Sequence, residues 1–175
     1  MFDLTGKTAL ITGATGGIGQ AIAKQMKERG AKLILSGTKE NVLNQMVKDL
    51  GDDVKSVVAN LQDKDSILSM AKNAEACYGK IDILVNNAGI TIDGLLMRMK
   101  DEDWDTVINV NLTACMRLTR QVLRGMLKRR YGRIIFISSI VGYTGNAGQS
   151  NYSASKAGLI GLSKTLAAEV ASRGI

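Results

Sequence analysis

The sequence of 175 residues contains no histidine. That absence removes every catalytic scheme built on an imidazole, Ser-His-Asp triads first among them, together with most catalytic zinc sites. Its two cysteines, Cys77 and Cys115, are too few for a disulfide framework and fit reduced thiols packed on helices better than a metal site. No segment is long and apolar enough to cross a bilayer, and the N-terminus has no basic stretch followed by an apolar one, so a soluble, cytoplasmic protein with no membrane association is expected. Aromatic residues make up only 4% of the chain, which leaves no stacking surface for nucleic acid despite a net charge of +7. The basic residues are scattered, apart from a run at Lys128, Arg129, Arg130 and Arg133. That run reads as a helix C-terminus, where positive charge complements the helix dipole. The charge also suits an acidic protein partner.

What is present is regular alternation. Apolar runs of strand type fall at 7–12, 33–36, 54–59, 81–85 and 133–138. Helical periodicity falls at 20–29, 40–50, 64–78, 103–128 and 152–172. One strand, one helix, repeated, predicts an α/β fold in a single domain over residues 1–175: a Rossmann-like, doubly wound parallel sheet in three layers, α/β/α. In such sheets ligands bind beyond the carboxyl ends of the strands, where the strand order reverses.

Three motifs fall at those ends. After the first strand, Gly13, Gly17 and Gly19 form G-x3-G-x-G at a strand-to-helix turn, with Thr15 and Ile18 inside it. Glycines there let the backbone approach a pyrophosphate, and the following helix offers free N–H groups and the positive end of its dipole. The spacing is not the G-x-G-x-x-G of the common dinucleotide fingerprint. After the fourth strand come Asn86, Asn87, Ala88 and Gly89, whose amides and backbone groups either brace the central strand beside a nicotinamide or simply open a loop. After the fifth strand, Ser139 starts the pattern S-x12-Y-x3-K that ends at Tyr152 and Lys156.

This last pattern suits the reduction of a carbonyl. Hydride addition leaves an alkoxide that needs a proton from a donor that holds it at neutral pH yet releases it readily. An ordinary phenol, with a pKa of about 10, is too reluctant. An ammonium four residues further along a helix shares its face and stabilises the phenolate; a shift of about three units takes roughly 4 kcal/mol of differential stabilisation. Ser139 would hydrogen-bond the substrate oxygen. Taken alone, a Y-x3-K spacing also occurs on ordinary surface helices, and the glycine turn gives it its context.

Together, T-G-x3-G-x-G at 12–19, N-N-A-G at 86–89 and S-x12-Y-x3-K at 139–156 resemble the classical short-chain dehydrogenase/reductase family over essentially the whole chain. The resemblance implies Tyr152 as proton donor, Lys156 as the residue that orients the nicotinamide ribose and lowers the tyrosine pKa, and Ser139 as carbonyl anchor. It also implies Asn111, otherwise an unremarkable helix residue, as part of a water-linked proton relay. Within the family, the phrases at 82–91, 95–104, 131–142 and 153–175 are similar to bacterial 3-oxoacyl-[acyl-carrier-protein] reductases. These use NADPH to reduce the 3-oxo group of an acyl chain on acyl carrier protein in fatty acid elongation. Arg130 and Arg173 match positions that present basic residues to the acidic carrier, and serve equally well as solvated helix-end arginines. The helices near 103–128 and 152–172 resemble the family's tetramer-forming pair, so a homotetramer is implied.

Cofactor choice has its own residues. An NAD enzyme of this fold places an acid after the second strand; here Ser36, Gly37, Thr38 and Lys39 stand there, which argues for NADP with Thr38 and Lys39 near the 2′-phosphate. NADP-dependent relatives also place an arginine inside the glycine turn, where this chain has Gly16. Asn60 and Leu61 resemble the adenine-contacting position. Family members continue beyond the equivalent of Ile175 into a sixth strand, a substrate loop with a Pro-Gly pair, a helical lid and a seventh strand. The absence of proline and the expectation of a sheet truncated before the sixth strand go together.

Overall fold

A computed structural model describes residues 2–175. Five strands, β1 (Thr8–Ile11), β2 (Lys32–Gly37), β3 (Val54–Val58), β4 (Ile83–Asn86) and β5 (Arg133–Phe136), form one parallel sheet in the order β3-β2-β1-β4-β5. From β1 the chain steps outward through β2 to β3, then returns to lay β4 on the other side of β1. The order therefore reverses between β1 and β4. Strands β1 and β4 are buried along their whole length, as a sheet covered on both faces requires.

Alternation along β1 assigns the two faces. Ala9 and Ile11 pack with Leu33, Leu35 and Val85 against α1 (Gly17–Glu28) and α2 (Glu40–Leu50), which contribute Ala23, Leu43 and Met46. Leu10 points the other way with Ile34 and Leu84, against α3 (Lys64–Tyr78) and α5 (Ala114–Arg129), which contribute Ile67, Met70, Leu118 and Met126. Burying each such Leu, Ile or Met contributes about 1.5–3 kcal/mol before conformational entropy is set against it. On the α1 side the helices leave Val85, Ile135 and Ile137 beside an apolar groove with Ile22 and Met26.

The expected elements all occur, with differences at their ends. The helix expected from residue 20 starts at Gly17, because the glycine turn itself forms the first turn. The long helix expected at 103–128 starts at Asp101, with Asp101, Glu102 and Asp103 favourably placed in its first turn. It is also interrupted: α4 (Asp101–Ile108) and α5 are joined by a π-helical turn at Asn109–Thr113. Two asparagines hold that turn open by bonding outside the helix, Asn109 Nδ2 to the Gln62 carbonyl at 3.0 Å and Asn111 to the backbone of Ile90. The last helix, expected at 152–172, is α7 (Ser150–Val170), closed by a 3-10 turn at Ala171–Arg173. Two pieces too short to show periodicity precede it, a 3-10 turn at Leu96–Arg98 and α6 (Val141–Thr144).

Candidate active site

The carboxyl ends of β1 to β4 open into a cleft of about 620 Å³. Its floor is the glycine turn. Gly13 adopts φ +61°, and a methyl group there would stand 2.7 Å from the Cα of Ala88; only glycine fits. Gly19 presses against Gly13, since a methyl on it would overlap the Gly13 carbonyl oxygen and reach 2.8 Å from the Cα of Ala14. Gly17 is different, for its added methyl would meet no atom within 4 Å. It faces the open cleft. Among the described residues the N–H groups of Gly17, Ile18 and Gly19 have no backbone acceptor outside the helix, and they point from the first turn of α1 as free donors.

The β1 and β4 ends are laced together. Thr12 Oγ1 donates to the Val85 carbonyl at 3.3 Å and accepts from the N–H groups of Asn87 and Ala88, both at 3.1 Å. Asn87 Nδ2 returns to the carbonyls of Thr12 at 2.9 Å and Gly13 at 3.2 Å. Below them, buried Asn86 donates to Thr119 Oγ1 at 3.2 Å. The side chains expected to brace the central strand do so.

Lys156 lies where this cleft ends. It is only 4% exposed, and its Nζ donates a 2.7 Å hydrogen bond to the Ile137 carbonyl and stands 5.5 Å from the centre of the Tyr152 ring. A methyl on Gly89 would come 3.5 Å from Nζ and 3.3 Å from Asn111 Oδ1, so the loop after β4 touches both. Burial pushes the Lys156 ammonium below its ordinary pKa, while the nearby Cys115 thiol opposes the shift. Burial in turn raises the Cys115 thiol to about 11. Ser138 Oγ donates to the Lys156 carbonyl at 2.9 Å and docks α7 on the end of β5. Half-buried Ser139 follows it, accepting a long 3.4 Å contact from the Val141 N–H, which leaves its own proton available. The segment after Ser139 lies on the same turn of α7, because a methyl on Gly142 would meet Lys156 Cβ at 3.2 Å.

Asn111 is fully buried and its amide is fully used. Oδ1 accepts from the Ile90 N–H at 2.8 Å, and Nδ2 donates to the Ile90 carbonyl at 2.9 Å and to Ser155 Oγ at 3.1 Å. Its backbone carbonyl accepts from the Cys115 thiol at 3.3 Å.

Of the residues read from sequence, Gly13, Thr15, Gly17, Ile18, Gly19, Thr38, Asn60, Leu61, Asn87, Ala88 and Gly89 all line the cleft; Asn111, Tyr152 and Lys156 adjoin it through the contacts above, and Ser139 stands next to Ser138, whose hydroxyl is bonded to the Lys156 carbonyl. Lys39 also lines the cleft and is the only charged residue among the described residues that does. Sequence reading missed Gln62 and Val110, which close the cleft beyond β3, and Asn151 and Ser155 beneath Tyr152. The signal for the last pair was the four-residue spacing of Asn151, Ser155 and Leu159, the buried stripe of α7. Arg130 and Arg173 fall elsewhere. They sit at the C-terminal ends of α5 and α7, on the side of the amino ends of the strands, opposite the cleft, where the Arg130 guanidinium donates to the Ser172 carbonyl at 3.0 Å. Among the described residues no group of three or more acidic or cysteine side chains is placed to hold a metal ion.

The sequence model of the family described as short chain dehydrogenase matches residues 7–175. Nodulation protein G of Rhizobium sp. (strain N33) is 56% identical over the whole chain, which covers 71% of that relative. The 3-oxoacyl-[acyl-carrier-protein] reductase of Escherichia coli (strain K12) is 55% identical over 99% of this chain and 71% of its own length. The enzyme of the same name in Salmonella typhimurium is 55% identical over 97% of this chain and 70% of its own. With a glycine turn, an Asn-Asn-Ala-Gly loop and a Tyr-Lys pair gathered at one end of a parallel sheet, the chain belongs to the short-chain dehydrogenase family of oxidoreductases.

Proposed function

We propose that the chain is an NADP-dependent reductase that converts the 3-oxo group of an acyl chain on acyl carrier protein to the 3-hydroxy group, in fatty acid biosynthesis. The observation that carries the reading is the placement of Lys156, buried against Ile137 and 5.5 Å from the Tyr152 ring, where the dinucleotide-sized cleft ends. The cleft suits the cofactor in shape: bare backbone at Gly16 and Gly17, free N–H groups for a pyrophosphate, and Asn60 and Leu61 at the adenine end. It suits NADP in charge, since among the described residues its lining has no carboxylate and one cation, Lys39, beside Thr38. When bound, the reduced nicotinamide supplies a hydride.

The chain's own residues do the rest. Ser139 donates a hydrogen bond to the carbonyl oxygen and fixes its position. Tyr152 gives its phenolic proton to that oxygen as charge develops there. Lys156 holds positive charge beside the resulting phenolate and reaches the ribose. Asn111 contributes through its backbone carbonyl, because its amide is spent on Ile90 and Ser155. The carrier protein is the proposed partner and a cytoplasmic homotetramer the proposed assembly.

The test is loss of NADPH absorbance with acetoacetyl carrier protein, acetoacetyl-CoA and a plain ketone in parallel. A kcat/KM for the carrier thioester at least about tenfold above that for the CoA form is expected, a difference of about 1.4 kcal/mol. Nodulation protein G, a relative of different name, is as similar to this chain at 56% identity, so a second reading stands beside the first, the same reaction on another ketone or on an acyl-CoA. Turnover of the CoA form or of the plain ketone alone selects it, and turnover of none of the three overturns both.

A further inference from the structure

Both backbone polar groups of Tyr152 are held by buried side chains. Asn151 is fully buried, and its Oδ1 accepts the Tyr152 N–H at 2.7 Å while its Nδ2 donates to the Ile92 carbonyl at 3.0 Å. Ser155, also fully buried, donates to the Tyr152 carbonyl at 2.7 Å and accepts from Asn111 Nδ2, which is itself bonded to Ile90. The Tyr152 N–H is one of the donors that the first turn of a helix leaves without a partner. Gln149, the residue preceding α7, makes no capping bond with its side chain. Asn151 supplies that partner and, with the same amide, ties the turn to the loop after β4. Ser155 does the same from the other side through Asn111.

We propose that Asn151 and Ser155 are positioning residues, a two-armed clamp that fixes the backbone of Tyr152 against the Ile90–Ile92 segment and so sets where its phenol points. The inference rests on the reading of Tyr152 as the proton donor. Neither residue lines the cofactor cleft. Loosening the clamp therefore misplaces the donor and leaves cofactor affinity alone. A misplacement of about 1 Å is enough to slow a positioned reaction about 100-fold.

The experiment compares the full-chain parent with Asn151→Ala, Ser155→Ala and Ser155→Thr. It measures kcat and KM for acetoacetyl-CoA with NADPH, NADPH affinity by fluorescence, the thermal midpoint, and the Tyr152 ring resonance in protein carrying isotopically labelled tyrosine. That resonance is assigned by its loss in Tyr152→Phe. Both alanine variants are expected to lose about 10- to 100-fold in kcat with KM and NADPH affinity held within about twofold. The Tyr152 resonance shifts, those of Tyr78, Tyr131 and Tyr143 stay, and Ser155→Thr restores both rate and resonance by returning the hydroxyl. Folded alanine variants with an unmoved Tyr152 resonance and a kcat within about twofold of the parent overturn the clamp. Should Asn151→Ala not fold, the Ser155 pair decides. A parent that reduces neither acetoacetyl-CoA nor acetoacetyl carrier protein sinks the proposed reaction instead, and the resonance still decides the clamp.

Discussion

Lys156 donates its ammonium to the Ile137 carbonyl at 2.7 Å while 4% exposed, a buried cation held by one neutral acceptor. Desolvation pushes its pKa below the ordinary 10.5, so the unfolded chain binds that proton more tightly than the folded one. Stability then rises with pH across the window between the lowered value and 10.5. Lys156→Met, which removes the charge and keeps the stem, is expected to be more stable than the parent by on the order of 1 kcal/mol near neutral pH. It is also expected to be inactive. Thermal midpoints measured as pH is raised should show that advantage shrinking as the parent lysine loses its proton; an advantage that stays constant with pH would remove the buried charge as its cause.

Tyr152→Phe keeps the ring beside Lys156 and removes the one proton assigned to the alkoxide. A fall in kcat of about 10²- to 10⁴-fold is expected, the range for loss of a positioned general acid, with NADPH affinity nearly unchanged. Parent-like turnover in this variant would exclude Tyr152 as the donor.

Gly17 and Gly19 stand two residues apart and predict opposite failures. A methyl at Gly17 meets no protein atom and projects into the cleft, so Gly17→Ala should fold with the parent's thermal midpoint and bind NADPH poorly. A methyl at Gly19 collides with the Gly13 carbonyl, so Gly19→Ala should lose about 1–3 kcal/mol of stability as overpacking forces α1 off β1. Calorimetry and NADPH fluorescence on the two variants separate the cases. Equal stability in both would mean that Gly19 is not a packing residue.

The sheet was legible because its signals are local: an apolar run, a glycine turn, a helical stripe, each within a dozen residues. The cleft was legible for the same reason, since its lining comes from the few residues after each strand. The π turn at Asn109–Thr113 was not. Its cause is bonding to Gln62 and Ile90, each tens of residues away, and the apolar period of 103–128 runs through it undisturbed. The family resemblance pointed to Asn111 without showing that its amide is consumed by Ile90 and Ser155. Asn151 and Ser155 read as ordinary polar residues near a helix start until burial placed both beneath Tyr152. Arg130 and Arg173 show the converse, a pair legible as basic residues whose distance from the cleft only the direction of α5 and α7 reveals.

Lys39 carries the last prediction, on cofactor choice. It precedes α2, lines the cleft beside Thr38 and Gly37, and is the only charge there among the described residues, while Gly16 occupies the turn position where an arginine would stand. The positive end of the α2 dipole lies next to it and adds to its pull on an anion. A hydrogen bond from a cation to a phosphate contributes about 1.5–3 kcal/mol, equivalent to roughly 10- to 100-fold in binding. Exposure to solvent and salt brings Lys39 to the lower end of that range. Lys39→Ala should therefore raise the NADPH dissociation constant about tenfold, with no change for NADH, which has no phosphate at that place. The loss should shrink as salt is added, because the interaction is between exposed charges. Equal weakening of both nucleotides would mean that Lys39 supports the fold of the cleft rather than the phosphate, and the preference for NADP would then have to rest on Thr38 and on the absence of a carboxylate from the lining.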